Sequence, residues 1–247
     1  MATLAHIFRH PIKSIGAEEM QSAPLQTGRV LPFDRAFAVT HEGAKFTGAP
    51  EHWQSKHNFL RGVAAPELMA VTSRSYGKTI TLSHPRQADI AIDPATDSAA
   101  LIDWLRPLWP ANRPAPVALV AAPAHGLTDM PDPFLSIGNL ATLRALSDRM
   151  GIDLSPHRFR NNLWVDAWPP LHERDLIGKT IRIGQASLTV TQPITRCRAT
   201  CANPETGVVN AEVLDALDSA WGHTDLGVYA AVTSSGQITR GDEIKDS

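Results

Sequence analysis

The residue with the clearest chemical potential is Cys197, which lies between Arg196 and Arg198. Nearby positive charge favours a thiolate over a thiol, and the thiolate is the form that binds a soft metal or attacks an electrophile. Neighbours along a strand point to opposite faces, so the two arginines need not approach the sulfur. From these residues alone, Cys197 is a buried small residue, a metal ligand or a nucleophile.

Cationic and polar side chains recur where predicted strands begin or end. Such loops can converge on a ligand while the strands hold them rigid, and the charges here favour an anionic one. Each cation also has an ordinary alternative as a surface charge, and Arg160 could pair with an acid such as Asp166. The candidate positions are Lys13, Ser14, Arg35, Arg160, Asn162, Thr195 and Arg196.

Other motifs fail on spacing. The segments 77–79 and 178–180 read Gly-Lys-Thr but lack the earlier glycine that a phosphate loop needs, and each runs into a predicted strand. Cys197 and Cys201 are the only cysteines, so a structural zinc site would lack two matching ligands. The chain also shows no iron–sulfur cysteine set and no dinucleotide fingerprint.

Composition sets the class of protein. The 247 residues carry 23 Lys and Arg against 25 Asp and Glu, interspersed, which argues against nucleic-acid binding. The first ten residues do not resemble a signal peptide, and no run of about 18 apolar residues could span a membrane. Two lone thiols without an export signal favour a reducing compartment. We therefore expect a cytoplasmic protein with neither nucleic-acid binding nor a membrane span.

Short apolar runs between Pro and Gly predict many strands. These strands do not alternate with the predicted helices, which favours α+β architecture over a doubly wound sheet. Helical spacing follows Asp97 or Ser98 as far as Pro107, follows Ser136 or Asn139 as far as Gly151, and runs from Asn210 to Gly222. The Pro-rich stretch 106–116 predicts a boundary between halves. Predicted strands are 36–40, 79–83, 116–120, 162–166, 180–183, 187–191, 228–232 and 237–239.

At these residues the sequence resembles the MOSC family, the module named after the C-terminal part of molybdenum cofactor sulfurase. The two-part members, which include the amidoxime-reducing components, carry an N-terminal β-barrel region before the MOSC domain. The fragments follow the family's order: His10–Ser14 resembles Y-P-[IV]-K-S, Phe159–Asn162 resembles F-R-P-N, Thr195–Cys197 resembles [ST]-R-C, and Asn203–Gly207 resembles D-P-[DE]-T-G; Asp34-Arg35, Pro133–Ser136, Gly227–Tyr229 and Gly241-Asp242 also fit.

The resemblance implies an α+β, predominantly β fold. An N-terminal β-barrel region would span residues 1–110, and a MOSC-type β-barrel with a few peripheral helices would span residues 111–247. It also implies that Cys197 is the catalytic residue and the protein ligand of molybdenum in a molybdenum–molybdopterin cofactor. Contacts to this cofactor would come from Lys13, Ser14, Arg35, Arg160, Asn162, Thr195 and Arg196, with the cations suited to its phosphate.

The activity implied is reduction of a small N-hydroxylated substrate by oxygen-atom transfer. Because no cluster or dinucleotide motif is present, the electrons would come from a separate donor protein. Two alternatives stay open: a cofactor carrier or sulfur-handling protein without turnover, and a metal-free thiol enzyme in which a histidine activates Cys197. Four departures put the substrate in doubt, since the usual residues are replaced by Asn161, Arg198, Cys201 and Asn203. Cys197 and Cys201 could also form a disulfide in cofactor-free protein.

Overall fold

A computed structural model describes residues 1–123 and 126–246, without the side chain of Asp246. Strands hold more of this part of the chain than helices do, which confirms the predicted α+β, predominantly β class. The helices are α1 (Ser98–Leu105), α2 (Leu140–Met150), α3 (His172–Asp175) and α4 (Val213–Trp221), with 3-10 turns at Lys56–Asn58, Pro66–Ala70, Arg106–Leu108, Pro156–Phe159 and Arg198–Cys201.

The strands follow in chain order, and eight of them form one large sheet. The strands are β1 (Thr3–Arg9), β2 (Glu18–Met20), β3 (Ser22–Leu25), β4 (Phe37–His41), β5 (Thr72–Tyr76), β6 (Thr79–His84), β7 (Gln87–Ile92), β8 (Pro116–Ala121), β9 (Phe134–Asn139), β10 (Leu163–Asp166), β11 (Thr180–Ile183), β12 (Ala186–Thr195), β13 (Asp225–Ser234), β14 (Gly236–Thr239) and β15 (Ile244–Asp246).

The large sheet has the order β15-β11-β12-β13-β9-β10-β1-β2. Because β15 and β2 are its two ends, the described strands form an open sheet and not a closed barrel. Strands β9 and β10 are parallel and are joined through α2, as a parallel pair requires a crossover. Three small sheets complete the structure: β14-β3, β4-β8 and β5-β6-β7.

Strands from the two halves of the chain pair with one another in the same sheets. From the first half, β1 and β2 extend the large sheet beside β10, and β3 pairs with β14 near the C-terminus. Strand β4 pairs with β8 across the Pro-rich stretch. Residues before and after position 110 therefore meet along strand edges, and the predicted boundary between 110 and 111 stays a prediction.

The predicted elements were found, with shifted ends. All eight predicted strands exist, and α1 ends at Leu105 because Pro107 cannot continue an α-helix. The side chain of Asn139 caps α2 by accepting a hydrogen bond from the Ala141 N–H, and Gly151 ends that helix at φ 65°. The last helix, α4, begins at Val213, later than the predicted Asn210.

Two main cores support the region between the halves. One lies against the large sheet and includes Leu4, Ile137, Leu163 and Val228, while another fills the first half around Ile12. A third cluster packs α2 and α4 against Phe8 and Trp164, among others. Within the described residues, no helix is both long enough and apolar enough to cross a membrane.

Candidate functional site

All eight predicted site residues line one cavity of about 570 Å³. Its walls come from both halves of the chain: the loop after β1, the loop before β5, the turn before β10, the end of β12 and the face of β13. Residues from strand ends far apart in sequence therefore meet at one place. The predicted residues are Lys13, Ser14, Arg35, Arg160, Asn162, Thr195, Arg196 and Cys197.

Lys13 is buried, and its ammonium group is held by two partners. Its Nζ donates to the carbonyl of Leu127 at 2.9 Å and to Asp129 Oδ1 at 2.5 Å. Burial lowers the pKa of Lys13, against the opposing charge of Asp129. Burial alone would raise the pKa of Asp129, but the charges of Lys13 and Lys56 outweigh it and lower that pKa to about 2. Asp129 is therefore a carboxylate at neutral pH, and it lies at hydrogen-bond distance from Lys13 Nζ.

Arg35 joins the loop after β1 to the turn before β10. Its Nη1 donates to Asp34, and its Nη2 donates to the carbonyl of Arg160 at 2.9 Å. Burial raises the pKa of Asp34, but the charge of Arg35 outweighs it, so the net shift is downward. Asp34 also accepts the backbone N–H of His10 at 2.8 Å. One carboxylate thus fixes both Arg35 and the chain that leads to Lys13.

Arg160 ends the 3-10 turn Pro156–Phe159, and its Nη2 is buried without a hydrogen-bond partner. The alternative of a pair with Asp166 is wrong, because Asp166 Oδ1 accepts from Arg144 Nη2 at 2.6 Å. Burial, helped by the charge of Arg35, lowers the pKa of Arg160 to about 9. The guanidinium is therefore still cationic at neutral pH and has an unused donor.

Three lining residues without a glycine's freedom have left-handed backbones. Ser14 has φ 63°, Arg35 has φ 48° and Arg160 has φ 50°. Such conformations cost about 1–3 kcal/mol each and persist only where the surrounding structure imposes them. Three such positions around one cavity show that the surrounding structure fixes the backbone there.

The guanidinium of Arg196 donates hydrogen bonds to three groups of the protein. Its Nε donates to the carbonyl of Leu226 at 2.7 Å, its Nη1 to the carbonyl of Phe159 at 2.8 Å, and its Nη2 to Asn161 Oδ1 at 2.8 Å. The guanidinium also lies 5.4 Å from the centre of the Phe159 ring. Burial lowers the pKa of Arg196 to about 10. Arg196 therefore joins the end of β12 to the turn before β10.

Cys197 is exposed and lies at the start of the 3-10 turn Arg198–Cys201. Its carbonyl accepts the hydroxyl of Thr200 at 2.9 Å, which fixes the backbone and leaves the thiol free. The flanking arginines are directed elsewhere, since Arg198 Nη2 lies 3.7 Å from Glu212 Oε2. Cys201 is buried, and both cysteines are free.

Two predicted contacts have their polar groups bonded within the protein. The Thr195 hydroxyl donates to Asp225 Oδ1 at 2.7 Å. Asn162 Oδ1 accepts from the N–H of Ser136 at 3.2 Å and from its hydroxyl at 3.0 Å, while Nδ2 donates to the carbonyl of Phe8 at 3.3 Å. Asn162 therefore holds β9 and β1 together at the floor of the cavity.

The donor set fits an anionic cofactor that brings its own metal ligands. The described lining holds seven basic residues and one acidic residue, Asp129. Buried donors on Arg160 and Asn161 have no partner. In the described part of the chain, no group of three or more His, Cys, Asp and Glu could hold a metal. A metal bound at Cys197 would therefore need ligands from a cofactor.

Several lining residues were not predicted from the sequence. Asp129 neutralises Lys13 from 116 positions away, and Lys56, Arg61 and Tyr229 also line the cavity. None of the first three lies in a recognisable motif. Tyr229 was noted only as part of the resemblance. It lies on β13, opposite Gln192 of β12, and lines the cavity.

Comparison with known proteins identifies the family. The model of the MOSC N-terminal beta barrel domain matches residues 1–105, and the model of the MOSC domain matches residues 127–245. A molybdenum cofactor sulfurase from Anopheles gambiae is 32% identical over an alignment of 106 residues, and the match covers 38% of this chain. That match spans only 14% of the length of the sulfurase.

Solved structures give weaker likenesses. The YUAD protein from Bacillus subtilis is 15% identical, with 99% of this chain and 94% of that chain covered at a TM-score of 0.45. YiiM from Geobacillus stearothermophilus is 17% identical, with 46% and 53% covered at a TM-score of 0.35. At these TM-scores the likenesses support no argument about activity. Since the two family models match in order over most of the sequence, the chain belongs to the MOSC family, with an N-terminal MOSC β-barrel domain.

Proposed function

We propose that this chain binds a molybdenum–pterin cofactor in the cavity and reduces N-hydroxylated compounds with it. The observation that carries the proposal is the exposed thiol of Cys197 on a cavity with seven basic lining residues and a buried, unpartnered donor on Arg160. A soft thiolate is suited to molybdenum, and guanidinium groups are suited to a phosphate. The relative named molybdenum cofactor sulfurase supports the same cofactor.

Each part of the cavity has a role in this proposal. Cys197 Sγ would bind the metal, and Arg160 Nη2 would donate to the phosphate. Lys13, Ser14 and Arg35 would complete the anion site, with Ser14 and Arg35 on strained backbones. Arg196, Asn162 and Thr195 would act by holding the strand ends in register, because their polar groups are bonded within the protein.

When bound, the cofactor would supply two-electron oxygen-atom transfer. Reduction of a hydroxylamine, R–NHOH, to R–NH2 and water takes two electrons and two protons. The electrons would come from a separate donor protein. Tyr229 would deliver a proton to the departing oxygen: its phenol lines the cavity, makes no hydrogen bond within the described residues, and burial raises its pKa, so it is protonated at neutral pH.

A second candidate is a cofactor carrier or sulfur-handling protein, in which Cys197 binds or passes cofactor without turnover. The similarity to a protein named molybdenum cofactor sulfurase supports this second candidate. The metal-free thiol enzyme is less well supported, because the described lining residues include no histidine that could activate Cys197.

The deciding experiment is elemental analysis of protein from a host that makes molybdenum cofactor, with Cys197→Ser as the variant and Cys201→Ser as the matched control. We expect near-stoichiometric molybdenum in the wild type and the control, and its loss or altered coordination in Cys197→Ser. Loaded protein is then given benzamidoxime and a chemical electron donor. We expect turnover, with kcat lowered about a hundredfold in Tyr229→Phe at equal molybdenum content.

The outcomes separate the candidates. Molybdenum without turnover would favour the carrier. No molybdenum in the wild type, from a host that loads a known molybdenum protein, would contradict the central proposal. Activity that resists removal of molybdenum but is abolished by alkylation of Cys197 would favour the thiol enzyme.

A further inference from the structure

The wall of the cavity beside Cys197 comes from the first half of the chain. Gly62 lies so close to the segment after Cys197 that an added Cβ would be 3.5 Å from Ala199 Cβ and 2.6 Å from Met69 Sδ. An added Cβ on Gly207 would lie 2.7 Å from Glu67 Cα. Parts of the segment 62–69 are therefore packed directly against parts of the segment 199–207, and Arg61 lines the same cavity as Cys197.

This segment is held in place from behind. Leu60, Ala65 and Leu68 are fully buried in the core of the first half. The carbonyl of Arg61 accepts the N–H of Ala64 at 2.9 Å and the N–H of Ala65 at 3.2 Å. The backbone of Arg61 is thus fixed by a turn, and its side chain is directed by packing and not by a polar partner.

The charge of Arg61 is unmatched. Arg61 is half-buried as a residue, and its guanidinium makes no hydrogen bond or ion pair within residues 1–123 and 126–246. By contrast, Lys13 and Lys56 both face Asp129, and Arg35 is bonded to Asp34. A guanidinium partly removed from water gains most from a charge-assisted hydrogen bond to an anion. Arg160 has a free donor as well, but the cofactor phosphate already accounts for it.

The surroundings of Arg61 define the rest of a ligand. Val63 is 37% exposed although it is apolar, and it lines the cavity together with Met69 and Met130. Methionine side chains adapt to flat or irregular apolar groups. A cation at the rim of an apolar wall is complementary to a compound that has an apolar body and one anionic end.

We infer that Arg61 forms an anion subsite on the substrate side of the cavity, and that the preferred substrates carry a carboxylate or phosphate group on an apolar body. The substrate preference rests on the proposed function. The binding of an anion at Arg61 does not depend on it. The subsite is separate from the metal ligand and from the cationic residues assigned to the cofactor.

The test compares benzamidoxime with 4-carboxybenzamidoxime in protein purified with its cofactor. We expect the wild type to prefer the carboxylate, and Arg61→Ala to lower kcat/KM for the carboxylate about thirtyfold more than for the neutral compound, mainly through KM. Arg61→Lys should keep part of the preference, and Arg61→Glu should reverse it toward 4-(aminomethyl)benzamidoxime. Arg74→Glu is the control, since Arg74 is exposed and lies outside the cavity. This substitution changes the net charge by the same amount as Arg61→Glu.

A binding measurement makes the inference independent of turnover. Calorimetry with 4-carboxybenzamidine and with phenyl phosphate, each against molybdenum-loaded and molybdenum-free protein, identifies which anion Arg61 receives. Binding weakened about thirtyfold in Arg61→Ala and unchanged in Arg74→Glu supports the subsite even if no amidoxime is reduced, in which case only the proposed function fails. Unchanged affinity for both compounds in Arg61→Ala, or an equally large loss in Arg74→Glu, overturns the subsite.

Discussion

Two arginines of the same cavity show opposite arrangements. Arg196 directs its guanidinium to the carbonyls of Leu226 and Phe159 and to Asn161, whereas Arg160 has a buried nitrogen with no partner. Their sequence neighbourhoods look alike, since both follow or precede a strand and both belong to a motif. The donors of Arg196 are therefore used within the protein, while Arg160 keeps a buried donor that a ligand could accept.

The largest effect is expected beneath Arg196, at Gly227. Gly227 has φ +81°, and an added Cβ would lie 2.6 Å from the Ile137 carbonyl and 3.1 Å from Arg196 Nη2. Gly227→Ala should lower the free energy of unfolding by roughly 4 kcal/mol, through backbone strain and overpacking together. Gly178→Ala is the matched control, because Gly178 has φ +84° with nothing within 4 Å, and should cost only about 1 kcal/mol. Urea unfolding measures both, and equal losses would show that the region of Arg196 is not tightly packed.

The next effect comes from Arg196 itself. Arg196→Met should cost roughly 3 kcal/mol of unfolding free energy even without cofactor, because two carbonyls and one amide oxygen lose their donor. Arg182→Met, which removes an exposed arginine bonded to one carbonyl, should cost less than about 0.5 kcal/mol. If the two variants unfold at the same urea concentration, the contacts of Arg196 contribute nothing that exposed arginines lack.

Lys13 is an intermediate case, because its partner Asp129 is half exposed, with 51% of its side chain accessible. The pKa of Asp129 lies at about 2, below its usual 3.8, so the pair stabilises the fold above pH 3.8 and loses that contribution as the pH falls toward 2. Asp129→Asn should cost roughly 1 kcal/mol at pH 7, reduced by solvent screening, and the deficit should shrink below pH 4.

Urea unfolding of wild type and variant at pH 7, 5, 4 and 3 measures this deficit. Asp132→Asn, in the same segment and exposed, should show none. A deficit that is constant across these pH values would contradict the ion pair with Lys13.

The smallest effect on stability is expected at Arg160. Arg160→Met should leave the unfolding free energy of cofactor-free protein within about 0.5 kcal/mol of the wild type, since no protein acceptor loses its donor. After gel filtration, the molybdenum content of Arg160→Met should be lower than that of the wild type by about tenfold or more. Arg160→Lys should retain an intermediate amount. A loss of stability as large as that of Arg196→Met would remove the distinction between the two arginines.

The sequence predicted the elements better than their arrangement. Alternation along Thr180–Ile183 and glycines such as Gly151 predicted strands and helix ends, because these depend on local chemistry. Strand β5 was missed because its residues are polar and none is buried, so no alternation was visible. The open sheet order was not predictable, since it depends on which edges meet across more than a hundred residues.

The sequence predicted which residues would lie together, but not how their polar groups would be used. From the residues alone, the sequence indicated cations at strand ends, and the family resemblance named which ones would share a cavity. It could not separate Arg160 from Arg196, because that difference depends on a left-handed backbone and on carbonyls far along the chain. Arg61 was missed because it lies in no motif and reaches the cavity only through the packing of its segment against Ala199.

The pairing of β1 with β10 has a consequence for biosynthesis. Ile7 is opposite Leu163, so β1 is synthesised about 150 residues before β10, although its other neighbour, β2, follows at once. At about 5–20 residues per second, β1 waits roughly 10–30 seconds for β10, with apolar side chains exposed. The cavity walls at Cys197 and Tyr229 are made later still, so any ligand of this cavity must meet a chain that has been synthesised at least as far as Tyr229.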